Sequence, residues 1–452
     1  MKNLLKGKKI LQNAVGSKCN FAKKQAVKTL AVALGLLLIF ALAGCADEDE
    51  NKKVSYDDVS AENISDSVQP VDLPADESQK ENGDKAVRNF GVKLLQETVS
   101  AEQDKNKNLL LSPLSAVFAL AMTENGAEGE TLNQMEKVLG MPAADMNTYL
   151  HYYNDKLRTG DDFDMTIANS IWFQNERVDV EQDFLQANAD YYKADIFKAS
   201  FDKGTADDIN NWVGRKTNGM IDNMVDKIPD DAVMYLVNAL SLQASWHEKY
   251  DDVRKNIFTT ADGTEQETDF MYSEEKYYLE DNTSVGFMKY YAGGSRYAFV
   301  ALLPTPNLSV EEYINSLTGD KLQSLLENKN VCTVKTSMPK FETDYEIQLN
   351  DVLRKMGMEI PFDEDNADFS RLGKSLADGN IYISRVLQKT YISVYEKGTK
   401  AAAATSVEMT EECAELPAEK TEEVYLDRPF VYMIVDCNHN IPIFAGTLMS
   451  VE

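Results

Sequence analysis

The chain has 452 residues, with 46 Lys and Arg against 74 Asp and Glu, a formal charge of −28, and three histidines. A length of this order means two or three ordinary domains or one large one, and 43% hydrophobic side chains suffice for a substantial core. Phosphate backbones demand clustered Lys and Arg, so the acidity excludes a nucleic-acid binder. His151, His247 and His439 stand far apart, outside HExxH or any paired-ligand spacing. No GxSxG, Walker, GxGxxG or CxxC pattern occurs. No catalytic residue, metal site or cofactor is therefore expected, and the chain is not expected to be an enzyme.

The N-terminus reads as an address. Met1–Gly44 holds eight lysines and no acid, and Leu30–Leu42 is an unbroken apolar run. At ~1.5 Å per residue that run falls short of the ~30 Å hydrocarbon layer, so it reads as an export signal rather than a membrane span. It ends in Leu42-Ala43-Gly44-Cys45, which resembles the bacterial lipobox. That resemblance implies cleavage before Cys45 and a diacylglycerol on its thiol. The expectation is a signal peptide over 1–44 and a chain anchored by lipid to the outer face of a bacterial cytoplasmic membrane or cell surface. Without the signal, 38 basic side chains face 74 acidic ones. Ala46–Asp84 carries 13 acids, three lysines, two prolines and no Phe or Trp. Too little of it is apolar to offset ordering entropy, so 45–84 is expected to be a disordered tether, reaching ~35 Å on average.

From residue 85 to 452 no linker or repeat breaks the pattern, and one body is expected. Val87, Phe90, Leu94 and Thr98 share a helical face. Ser112-Pro113 is an N-cap followed by proline at the first helical position, with Leu114, Val117, Phe118 and Ala121 turned inward. Thr131 to Gln134 has the form of a capping box, with Gly140 as the stop. Met165, Ile167, Asn169, Ile171 and Phe173 alternate as in a strand, and Ile209, Trp212 and Val213 return to helical spacing. Tyr297–Leu303, Val331–Phe341 and Ile381–Tyr395 are long β-type stretches, with a helix on Leu349, Val352, Leu353 and Met356 between the last two. Phe430–Val435 and Ile443–Met449 form a hairpin through Asn438-His439-Asn440. Cys332 and Cys437 lie in apolar runs and read as core thiols. Between Glu396 and Asp427 no apolar period survives. A gap of that length inside a compact body is functional or disordered, although Gly398–Thr405 taken locally reads as a short alanine helix.

Several segments, in order, resemble the serpin family. Asn108 to Ser115 is similar to the start of its second helix, followed by Gly126-Ala127-Glu128-Gly129-Glu130-Thr131, Ala168 to Trp172, and Ile209 to Val213 with Thr217. Leu236-Val237-Asn238-Ala239 with Trp246, Pro339-Lys340-Phe341, and Arg428-Pro429-Phe430 complete the series. Glu396-Lys397-Gly398-Thr399-Lys400-Ala401-Ala402-Ala403-Ala404-Thr405 resembles the hinge of an inhibitory reactive loop. The resemblance implies an α+β fold of three β-sheets and eight to nine helices, with an exposed reactive-centre loop and its following connection over 396–427. It implies a suicide-type inhibitor of an extracellular serine, or cysteine, endopeptidase: the loop is cut, inserts into the central sheet and traps the acyl-enzyme. Thr399, Ala401, Ala403 and Thr405 alternate on one face, and none carries bulk or charge that would stall insertion. The alternative is a serpin-fold protein that does not inhibit and acts as a surface binding or scaffold module.

The same resemblance implies a gate and opening cluster of Ser112, Ser115, Asn238, Gln388 and Trp246, with Gln388 where the family usually has histidine. Glutamine offers both donor and acceptor and can bridge the same groups. Family spacing sets the reactive bond at Glu412–Cys413, within Glu411–Leu416. No Lys or Arg occurs from Val407 to Ala418. The expected target is therefore a Glu-accepting, subtilisin-like or elastase-like endopeptidase and not a trypsin-like one. A monomer is expected, with no nucleic-acid partner and with membrane contact through the lipid alone.

Overall fold

The computed structural model describes residues 56–157, 159–160, 163–221, 223–399 and 420–451. Among these are nine α-helices and three β-sheets of eight, nine and two strands. Lys80–Ala101 is the longest helix and buries Val87, Phe90, Leu94 and Thr98, as their spacing requires. Pro113–Glu124 is buried on every side, as expected of a helix apolar all round. Ser112 caps it by accepting a hydrogen bond from the Ser115 amide. The capping box at Thr131 does not form. Its helix starts two residues earlier, at Gly129, and the buried Thr131 hydroxyl accepts from the Asp368 amide instead. A tertiary acceptor need outweighed the local motif.

The eight-stranded central sheet runs Glu62–Asn63, Asp195–Ala199, Phe163–Gln174, Met234–Ser245, Gly398–Thr399, Arg385–Tyr395, Phe341–Gln348, with Thr159–Gly160 paired to Phe163–Gln174. Met234–Ser245 and Arg385–Tyr395 also pair directly and in parallel, Tyr235–Leu240 against Arg385–Thr390. The nine-stranded sheet includes Glu265–Glu280, Tyr297–Pro304, Phe430–Asp436 and Ile441–Leu448, the last two as the expected hairpin. The stretch Val331–Phe341 is not one strand. Asn330–Pro339 belongs to the nine-stranded sheet and Phe341–Gln348 to the central one, the chain crossing between layers at Lys340. Of the two core thiols, Cys332 is buried and Cys437 half-buried.

The expected tether is corrected over 56–84. Asp208 accepts hydrogen bonds from the amides of Ser60 (2.8 Å) and Ala61 (2.8 Å) and from the Ser60 hydroxyl (2.7 Å). Glu62–Asn63 adds a strand to the edge of the central sheet, opposite Lys198 and Phe197. Ile64 and Val68 are buried, Tyr56 packs against Gly214, and Val71 donates its amide to Asp190. The long helix already begins at Lys80. Composition counted too few apolar side chains, but this stretch is held by backbone groups satisfied on the body, which composition does not register.

Candidate functional site

The site is the place where Gly398–Thr399 enters the central sheet. After Arg385–Tyr395 the chain turns at Glu396–Lys397 and re-enters antiparallel, Thr399 opposite Val394 and Gly398 opposite Tyr395. On its other side Gly398 faces Ser245 and Thr399 faces Ala244. Two residues are thus wedged between two strands that, further along, pair directly. Only glycine fits at 398, because a Cβ there would lie 2.1 Å from the Ala244 carbonyl oxygen. Thr399 is 1% exposed and its hydroxyl bonds the Tyr291 hydroxyl at 2.8 Å. The local alanine-helix reading fails at these first two positions, which are extended.

The turn is braced from three directions. Lys340 pairs with Glu396 at 2.7 Å, and this hydrogen bond draws the Glu396 carboxyl below its usual range. Tyr250 donates its amide to the Glu396 carbonyl, and Trp246 donates its amide to the Lys397 carbonyl. The Trp246 indole donates to the Tyr395 carbonyl at 2.8 Å and stacks on Tyr291, centroids 4.6 Å apart. Beneath lies a buried ion pair, Lys289 to Glu275 at 2.7 Å, with the ammonium over the Tyr250 ring. Tyr291, Lys289 and Glu275 escaped sequence reading: Glu275 and Lys289 sit in ordinary strands, Tyr291 follows the end of one, and none belongs to a local motif.

Deeper in the sheet, Asn169, Asn238 and Gln388 form one row across three strands. Gln388 accepts from the Ser112 amide (2.9 Å), and its own amide donates to the Ser112 carbonyl (2.9 Å) and to Asn238 Oδ1 (3.1 Å). Asn238 Nδ2 donates to the Ser115 carbonyl (2.7 Å), to Ser115 Oγ and to Asn169 Oδ1. Ser112, Ser115, Asn238 and Gln388 are all at most 1% exposed. The structure therefore gathers four of the five expected cluster residues, with Gln388 bridging as its two functional groups allow, and adds Asn169. Trp246 is corrected: it stands apart from them, on the loop turn. The hinge positions Ala401, Ala402, Ala403, Ala404 and Thr405, the bond Glu412–Cys413 and the lipid-site residue Cys45 lie outside the described residues. Among the described residues no group of three or more His, Cys, Asp and Glu is placed to hold a metal.

Comparison with known proteins gives the family. The model for Serpin (serine protease inhibitor) matches residues 85–451. This chain belongs to the serpin family. It is 28% identical to an uncharacterized serpin-like protein of Methanosarcina acetivorans over 84% of this chain and 90% of that one. It is also 28% identical to Homo sapiens Serpin B8, over 80% and 97%. The native-state crystal structure of the thermophilic serpin Tengpin, 47% identical, matches with a TM-score of 0.80 over 86% of this chain and 99% of its own. Tengpin in its latent state matches less well, at 0.72. The human thyroxine-binding globulin complex, 21% identical with a TM-score of 0.73, shares the fold.

Proposed function

We propose that this serpin is a suicide-type inhibitor of an extracellular serine, or cysteine, endopeptidase. The observation that carries the reading is the two-residue wedge of Gly398–Thr399 above a directly paired, parallel stretch of the same two strands. A parallel ladder is slightly less stable per residue than an antiparallel one. Continuing the wedge as a strand antiparallel to both neighbours would replace one parallel ladder by two antiparallel ones. Each ladder hydrogen bond contributes about 0.5–1.5 kcal/mol net, so a cut loop has a downhill path into the sheet. The Gln388–Asn238 bond spans the seam that must open, and the cost of breaking it is part of what holds the uncut form.

In this reading the protease attacks Glu412–Cys413, or a neighbouring bond in Glu411–Leu416, and its acyl-enzyme is carried with the inserting strand. The lack of Lys and Arg from Val407 to Ala418 favours a Glu-accepting, subtilisin-like or elastase-like target. A lipid on Cys45 would hold the monomer at the outer face of a bacterial membrane or cell surface. The test is incubation with one protease of each class, followed by denaturing electrophoresis and mass spectrometry of the released C-terminal fragment. A denaturant-stable complex with a fragment beginning within 412–417 supports the reading; turnover of cut protein without a complex refutes inhibition and leaves a binding or scaffold serpin.

A further inference from the structure

The described residues line an open cavity of about 900 Å³ where the end of the helix Lys80–Ala101 meets the connection Asp427–Pro429 and the segment after Tyr297–Pro304. Its apolar lining is Val99, Leu109, Leu308, Val310, Pro429 and Met449. Its polar side chains differ sharply in how they are committed. Glu102 pairs with Lys107 at 3.1 Å and Glu311 with Lys105 at 2.9 Å. Glu312 is held in the capping box with Ser309. Arg428 is the exception. Its guanidinium is half-buried, and among the described residues it has neither a hydrogen bond nor an ion pair. Asp427, its exposed neighbour, touches the body through its carbonyl, which accepts from the Thr259 amide.

We propose that this cavity binds a monoanionic amphiphile, a small organic acid with an apolar chain or ring, whose carboxylate pairs with Arg428. An apolar wall beside directed polar groups is the usual make-up of small-molecule sites, and here the wall faces a polar rim in which Arg428 alone of the cations has no ion pair among the described residues. A partly desolvated guanidinium without a hydrogen bond is costly, and burial lowers its proton affinity against the opposing pull of the nearby Asp427 charge. A carboxylate presents the two acceptor oxygens that a guanidinium fork matches. The exposed carboxylates of Asp104 and Asp427 at the rim repel anions in proportion to their charge, so one negative charge is tolerated better than the two or more of phosphate and polycarboxylates. Arg428 follows the strand Thr421–Tyr425 after Leu426 and Asp427, and the Leu426 amide donates to the Ser337 carbonyl at 2.9 Å. A bound acid thus fixes the exit of the connection that follows the reactive loop and raises the melting temperature by mass action.

The test is isothermal titration of the full chain with decanoate below its micelle concentration, with decanol as the neutral probe. The expected result is one saturable decanoate site, weakened about tenfold or more in Arg428→Gln, as loss of a charge-assisted hydrogen bond requires. Decanol should bind equally weakly to both proteins. Leu308→Trp fills the cavity without touching the charge and should abolish decanoate binding. If Arg428→Gln does not fold, the decanoate–decanol difference and Leu308→Trp still decide the matter. Absence of saturable decanoate binding, equal affinity for the two probes, or unchanged binding in either variant overturns the proposal.

Discussion

Replacing Glu124 by glutamine should remove most of a pH-dependent destabilisation built into this fold. Glu124 ends the helix Pro113–Glu124, is 1% exposed, and neither of its carboxyl oxygens has a hydrogen-bond partner among the described residues. Its neighbours are occupied elsewhere: Asn125 and Asn147 bond each other, and Tyr192 donates to Asn147. Burial pushes the Glu124 carboxyl up to about 9, with the charge of Glu136 adding to the effect. At neutral pH it is therefore protonated when folded and ionised when unfolded. The folded state then binds the extra proton, so stability falls as pH rises from the ordinary carboxylate range to about 9 and is flat beyond it. At about 1.4 kcal/mol per pH unit, the penalty is about 3 kcal/mol at pH 7 and about 6 kcal/mol above pH 9. Glutamine keeps the shape and carries a similar amide burial cost, but that cost does not vary with pH. Urea unfolding of the uncut protein and the variant from pH 5 to 9 measures the difference. The variant should gain on the wild type steadily with pH. A difference that is constant between pH 5 and 8.5 would refute the reasoning, since it would mean that Glu124 is ionised and solvated in the folded chain.

Other expectations follow from the seam, the hinge and the docked N-terminal stretch. Gln388→Ala leaves the Ser112 amide and Asn238 Oδ1 without their partner, costing the uncut form about 2–4 kcal/mol. A strand inserted between Asn238 and Gln388 would part them anyway. The urea midpoint should therefore drop more before loop cleavage than after it, and an equal drop would count against the seam. Thr399→Arg places a charge where the side chain is buried against Tyr291, at a cost of several kcal/mol; on electrophoresis, protease complexes should give way to cut free protein. Asp208→Ala removes one carboxylate that serves three donors, worth about 1–3 kcal/mol. Limited proteolysis should then cut within 56–63 well before the body, and unchanged resistance would show that the strand pairing of Glu62–Asn63 suffices alone.

The sequence by itself determined what depends on neighbours along the chain. Ser112-Pro113 wrote its helix start, the period of Met165 to Phe173 fell within the strand Phe163–Gln174, and the C-terminal hairpin formed about where its two apolar runs put it. The ordered series of motifs led to the family, and it was the resemblance, not any local pattern, that singled out the polar residues Ser112, Asn238 and Gln388. Tertiary structure decided whatever depends on partners distant in sequence. Thr131 left its capping box for the Asp368 amide, more than two hundred residues away, because a buried donor without an acceptor costs more than a local motif returns. Tyr56–Asp84, too polar to hold itself, is ordered by acceptors on the body such as Asp208. Trp246 was expected beside Asn238, eight positions earlier on almost the same strand. Eight residues of extended chain span roughly 26 Å, so the same strand that carries Asn238 to the seam carries Trp246 to the loop turn. Side-chain direction and strand order, neither of them a local property, made one site out of the first and a brace for the hinge out of the second.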